Sequence, residues 1–217
     1  MFSVRRSGST ASPAEPLWFE WLALVGLFVF AGWLLGVRGV WSLLLNSDPT
    51  GITFVIIIVF TLATLWSGMR ARELTRERIA AEARLPGWAA SYWAALGVAP
   101  RDESAPLDLL LERTHGPHAT AWWVNAIQLK LGLLGKVIGF SILALQIGQI
   151  QNFDPAQAQD LLKSLTTGLG VALLTTMVGL VGNILLGVQL TRLDRYADDL
   201  VAVVQQHGLS IRQRGEG

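Results

Sequence analysis

Four nearly uncharged stretches of about 20 residues constrain this chain most, because a helix of that length and polarity matches the hydrocarbon thickness of a bilayer. They run from about Leu17 to Gly36, Ile52 to Gly68, Leu131 to Ile150 and Leu165 to Val188, and the apolar pattern of the first continues through Arg38 to Leu45. The rest of the composition agrees: 52% of the 217 residues are hydrophobic and 15% are charged, too apolar for a water-soluble domain of this size. The first stretch follows Arg5 and Arg6 as a secretory leader would. It is long and lacks a small-residue cleavage site, so an uncleaved helix is expected. A net charge of +1 supplies no concentrated basic surface, which argues against nucleic acid as a partner. The absence of cysteine excludes disulfide and thiol chemistry.

The connections set the expected topology. "NSDPTG" joins the first two stretches and "QNFDPAQAQD" the last two, and in each Asp-Pro supplies a helix N-cap with proline at the first helical position. Lysine and arginine collect elsewhere: Arg5 and Arg6 at the start, Arg70 to Lys130 in the middle, Arg192 to Arg214 at the end. By the positive-inside bias both termini and the middle segment are expected to be cytoplasmic. Arg38, near the opposite interface, is expected to snorkel. Tryptophans such as Trp18, Trp21, Trp66, Trp122 and Trp123 lie near the ends of the apolar runs, where an amphipathic indole sits best.

The expected organisation is a cytoplasmic tail over 1–16, two membrane helices within 17–68, a cytoplasmic helical segment over 69–130, two more membrane helices within 131–190, and a cytoplasmic helix and tail over 191–217. "RARELTRERIAAEAR" keeps helix formers with opposite charges a turn apart, so the second helix is expected to continue as a stalk. The fourth should continue through Leu193, Tyr196, Leu200 and Val204 to a C-cap at Gly208, so that the helix from Pro155 to His207 is on the order of 80 Å long at 1.5 Å per residue. Pro86, Gly87, Pro100 and Pro106 are expected to break the middle segment into short pieces, and "RQRGEG" to fray.

The last two apolar stretches carry the most specific pattern. "LGLLGKVIGF" spaces Gly132, Gly135 and Gly139 about one turn apart, and "TTGLGVALLTTMVGLVGN" holds Gly168, Thr175, Thr176, Gly179 and Asn183. Small residues at this spacing let two helices approach closely in lipid. A lone threonine can satisfy itself on the carbonyl one turn back, but an asparagine in mid-membrane needs a partner helix or a hydrated path.

The order "GLLG-x-V-x-G" on one helix, a short turn, then "G-L-x-x-A-L-L-x-T-x-x-G-L" on the next resembles the MotA/TolQ/ExbB proton channel family over about Leu131 to Leu190. The resemblance implies an all-α fold of four membrane helices with cytoplasmic extensions, assembled as a homopentamer in a bacterial inner membrane. It implies a single-span MotB/ExbD/TolR-like partner with a membrane aspartate, and a proton or sodium ion as coupling ion, without a further cofactor. Carried onto this chain, Gly168, Ala172, Leu173, Leu174, Thr176, Gly179 and Leu180 match the motif, with Thr176 in the place of the pore threonine. Thr175, Asn183 and Lys136 are expected beside it along the ion pathway. Three positions depart: Val171 replaces a glutamate of ExbB-like members, Leu185 a proline, and Lys136 the threonine of the third-helix motif.

A hydroxyl can relay a proton, whereas an ammonium has three donors and no acceptor. Five such groups around a pore, about 8 Å apart, would repel pairwise by roughly 2 kcal/mol at an effective dielectric near 20. Three states fit Lys136: uncharged through desolvation and repulsion, paired with a partner carboxylate, or extended to the cytoplasmic interface clear of any ion path.

His115 and His118 in "HGPH" read as a turn, His207 suits the negative end of a helix, and Glu20 is expected to reach headgroups. No phosphate-binding loop, nucleophile elbow or paired catalytic carboxylates occur in the sequence, so no enzyme is expected. Two other functions share the composition: a non-conducting or differently gated pentameric scaffold, and a membrane transporter subunit. The latter calls for an internal repeat, and the two hairpins share no evident similarity.

Overall fold

The computed structural model describes residues 17–48, 50–98, 104–148 and 155–215. Its elements are helices: α1 Leu17–Val37, α2 Val40–Ser47, α3 Ile52–Glu82, α4 Trp88–Val98, α5 Ser104–Gly148 and α6 Pro155–Gly215. No strand occurs among the described residues, and α1, α3, α5 and α6 are each long and apolar enough to cross a membrane. Arg5, Arg6, Pro49, Pro100 and Asp154, used above to set topology and breaks, lie outside the described residues.

Where chain breaks occur, backbone chemistry accounts for them. Gly39, at φ 73°, separates α1 from α2 in a conformation that costs a residue without Cβ little. Gly51, at the same φ, is the residue before α3, so that helix starts at Ile52 and not at the expected Asp-Pro. Asp48 still caps it from a distance: its carboxylate accepts from the backbone N–H of Thr50 (2.9 Å) and of Thr53 (2.7 Å). Burial alone would raise this carboxyl's pKa, but the hydrogen bonds from Thr50 and Thr53 together outweigh it and hold the group below the usual aspartate range. At the far end of α3 the chain reverses through Arg84, at φ 55°, with Leu85 N–H bonded to the Ala80 carbonyl and Arg84 N–H to that of Ala81. This is the Schellman arrangement, with arginine where glycine is usual. Glu77 then accepts from the N–H of Trp88 at 2.8 Å and starts α4.

Three further expectations change. The "HGPH" stretch is not a turn, since α5 runs through Pro117 without a break. Proline has no N–H for the carbonyl of Arg113, one turn back, and the guanidinium of buried Arg70 on α3 takes that place, bonding the carbonyls of Arg113 and Thr114. Gly208 is not a C-cap, since α6 continues to Gly215 and includes most of "RQRGEG". Its missing Cβ instead admits Tyr92, Trp93 and Leu96 of α4, and the Trp93 indole donates to the Val204 carbonyl at 2.9 Å. Pro106 likewise breaks nothing, because it sits in the first turn of α5, where a helix tolerates proline.

α5 and α6 form a long antiparallel hairpin with α3 packed against it. At one end Leu74, Ala71, Leu193, Ala197, Leu200 and Val204 make the main apolar core under α4. Just above that core the aromatic residues of three helices share a level. Trp21 of α1 donates to Ser67 of α3 at 3.1 Å, Ser67 lies 2.9 Å from the Gln189 amide oxygen, and Trp66 stands edge-on to His118. On α5, Trp122 donates to Asp194 at 2.8 Å. Glu20 pairs with Arg192 at the same level, at 2.7 Å.

The contacts Thr64–Gln189 and Phe60–Gly182 give the register of α3 against α6. Continued along both helices, that register sets Ile52 level with about Thr175. Beyond that level α6 continues for roughly 30 Å and α5 for roughly 18 Å, so the tip of their hairpin stands clear of α1 and α3.

Candidate functional site

Of the residues singled out in the sequence, all but Lys136 meet along one seam between α5 and α6. A Cβ at Gly132 would touch the backbone at Thr176 and Gly179, at 3.3 Å each. One at Gly135 would fall 2.6 Å from the Thr175 Cβ, and one at Gly139 would fall 2.8 Å from the Ala172 nitrogen and the Gly168 oxygen. Conversely a Cβ at Gly168 or Gly179 would strike the α5 backbone, at 3.1 Å from the Gly139 oxygen and 2.8 Å from that of Gln128. The spacing of about one turn therefore does what packing in lipid requires: it removes side chains from both faces so that the two backbones touch.

Three polar residues of α6, Thr175, Thr176 and Asn183, turn into this seam. Thr175 is fully buried and its hydroxyl donates to the Val171 carbonyl at 2.7 Å. The Thr176 hydroxyl lies 2.8 Å from the Ala172 carbonyl and 3.2 Å from that of Gly132, so it joins the two helices. Asn183 donates its amide to the Asn125 carbonyl at 2.9 Å. Gln128, fully buried, lies over Gly182, and its amide atoms have no protein partner among the described residues.

Lys136 stands apart. It is exposed on the outer side of α5 with Leu133, Val137 and Phe140, away from the glycine face. Its Cα is about 21 Å along α5 from Trp122 and the layer of indoles. A lysine side chain extends about 6 Å and leaves a helix tilted toward its N-terminus, far short of that layer. The outer side of α6 is apolar as well, with Leu169, Leu173, Met177, Leu180 and Ile184 exposed in a continuous strip.

Below the seam lies a second polar constellation that sequence reading missed. His118, 3% exposed, faces the Asp194 carboxylate at 2.6 Å, and that carboxylate also accepts from Trp122. One turn away His115 faces Asp198 at 2.9 Å. The signal was present in the numbering. Once Gly132 opposes Gly179 in an antiparallel pair, fourteen residues back along α5 and a similar count forward along α6 bring His118 opposite Asp194. His118 precedes the apolar part of α5, and burial pushes its pKa below the ordinary histidine value, with Asp194 opposing and Arg70 and His115 adding to the depression.

Compared with protein-family models, with curated proteins and with solved structures, the chain matches none.

Proposed function

We propose that this chain is the channel-forming subunit of an ion-driven motor or energising complex of a bacterial inner membrane. In this reading it works as a homopentamer around a single-span partner whose membrane aspartate carries a proton or sodium ion, with both termini cytoplasmic. The observation that carries the reading is the coincidence of the motif's small residues with the seam: Gly132, Gly135, Gly139, Gly168, Ala172 and Gly179, with Thr176, are where α5 and α6 touch, while the motif leucines Leu173 and Leu180 face outward. A hairpin locked in this way is a stiff stave, which a rotating or torque-bearing ring needs. The long helices that continue past the apolar segments, 31 residues in α3 and 61 in α6, supply the stalks.

A second reading is favoured by Lys136. A cation on an apolar face, about 21 Å from the indole layer, is costly unless an anion meets it. Five of them would oppose cation flow, so the assembly is then a scaffold or a channel gated by its partner's carboxylate.

Proton flux into liposomes carrying the complex separates the two. The motor reading expects flux that Thr176→Ala abolishes and Thr176→Ser restores. The scaffold reading expects a tight membrane that Lys136→Thr renders leaky. A native mass other than that of a pentamer, measured in mild detergent, removes both.

A further inference from the structure

His118 and Asp194 are not needed by either reading, yet they occupy a place where α3, α5 and α6 meet through polar groups next to a fault in a helix. We propose that His118–Asp194, with His115–Asp198 one turn away, is an acid-operated clasp between α5 and α6, closed while His118 is neutral and opened when its ring takes a second proton.

The closed state follows from the contacts. A carboxylate only accepts, so the neutral His118 ring carries its proton on Nδ1 and donates it to Asp194 at 2.6 Å. Nε2 is then bare, buried, and without a partner among the described residues, with Trp66 edge-on beside it. A proton arriving on Nε2 becomes a buried donor with no acceptor, attached to a cation. Among the described residues the charged or titratable groups facing the ring are Asp194 from α6, Arg70 from α3 and His115 from α5, with Asp198 already engaged by His115. Asp194 favours the added charge, while Arg70, His115 and burial oppose it, and the opposition prevails. The closed arrangement therefore binds fewer protons than an opened one. Its stability is complete above the ordinary histidine value of about 6.5 and is lost as pH falls from there toward the lowered folded value.

The location gives the clasp something to move. At Pro117 the helix lacks one internal bond, and Arg70 alone replaces it. Releasing His118 frees the part of α5 from Ser104 to Gly116, with α4 against it, to swing relative to the apolar part of the helix.

The test uses the full chain in lipid nanodiscs, with nitrogen-labelled histidine and amide hydrogen exchange corrected for intrinsic rate, between pH 7.5 and 5. Exchange of amides 113–122 should rise by up to about tenfold per pH unit below about 6.5 and level off in the pH range where the His118 ring signal titrates. In His118→Gln, which can still donate to Asp194 but does not titrate, the same amides should be insensitive to pH. If His118 titrates in the unaltered protein while the exchange stays flat, or if His118→Gln keeps the full acid response, the proposal is wrong. Should the variant not fold, the unaltered protein decides alone: exchange that stays flat from pH 7.5 through the range where the His118 ring titrates overturns the clasp.

Discussion

At the scale of single residues, Pro117 and Arg70 account for each other. The proline deprives the Arg113 carbonyl of its helical donor, and a buried guanidinium from α3 supplies one. Replacing Arg70 by methionine leaves that carbonyl and Glu73 unpaired and should cost about 2 kcal/mol of stability, measured by denaturant unfolding in detergent. In a Pro117→Ala background the carbonyl regains an N–H, so the same replacement should cost about 1 kcal/mol less. Equal costs in the two backgrounds would show that the guanidinium does not serve the proline. Arg84 gives an opposite case, a side chain held at φ 55° only by the turn that follows α3. Arg84→Gly should stabilise the protein by about 1 kcal/mol in the same assay, because glycine occupies that backbone region without a Cβ clash.

Among the elements, the α5–α6 hairpin is defined by absent side chains. Gly139→Val should force the Ala172 and Gly168 backbones away and lower the unfolding midpoint strongly, whereas Gly26→Val, which meets nothing within 4 Å, should leave it nearly unchanged. Similar midpoints would mean that the hairpin does not depend on the seam. The apolar runs and the small-residue spacing made this much legible in the sequence, because helix periodicity and lipid packing are local properties. Gly208 and "HGPH" misled for the converse reason. Glycine and proline report a local preference, and their meaning here was set by partners far along the chain, α4 in one case and Arg70 in the other. The facing of Thr175, Thr176 and Asn183 into the hairpin was likewise invisible from α6 alone, since the spacing gives a shared side but not which neighbour that side meets.

For the whole molecule, sidedness is the outstanding quantity, and the cysteine-free chain makes it directly measurable. Asn46→Cys in α2 and Arg76→Cys in the extension of α3 both carry the new thiol on exposed positions. A membrane-impermeant maleimide should label the first in intact spheroplasts and the second only after permeabilisation, and the reverse pattern would invert the charge-derived topology. The unequal heights of the helices have a further consequence. From the level of Trp21 and Ser67 to the start of α3, the wall formed by α1 and α3 is about 24 Å tall, while α5 and α6 stay apolar for half as much again. A bilayer core of about 30 Å is thicker than the first wall and thinner than the second; in the proposed ring, where α5 and α6 face the centre, the α1–α3 wall is the one that meets lipid, and that lipid has to thin to match it. The thickness of the host membrane, a property of lipid chemistry and not of any partner, then becomes one of the variables that act on the outer wall of such a ring.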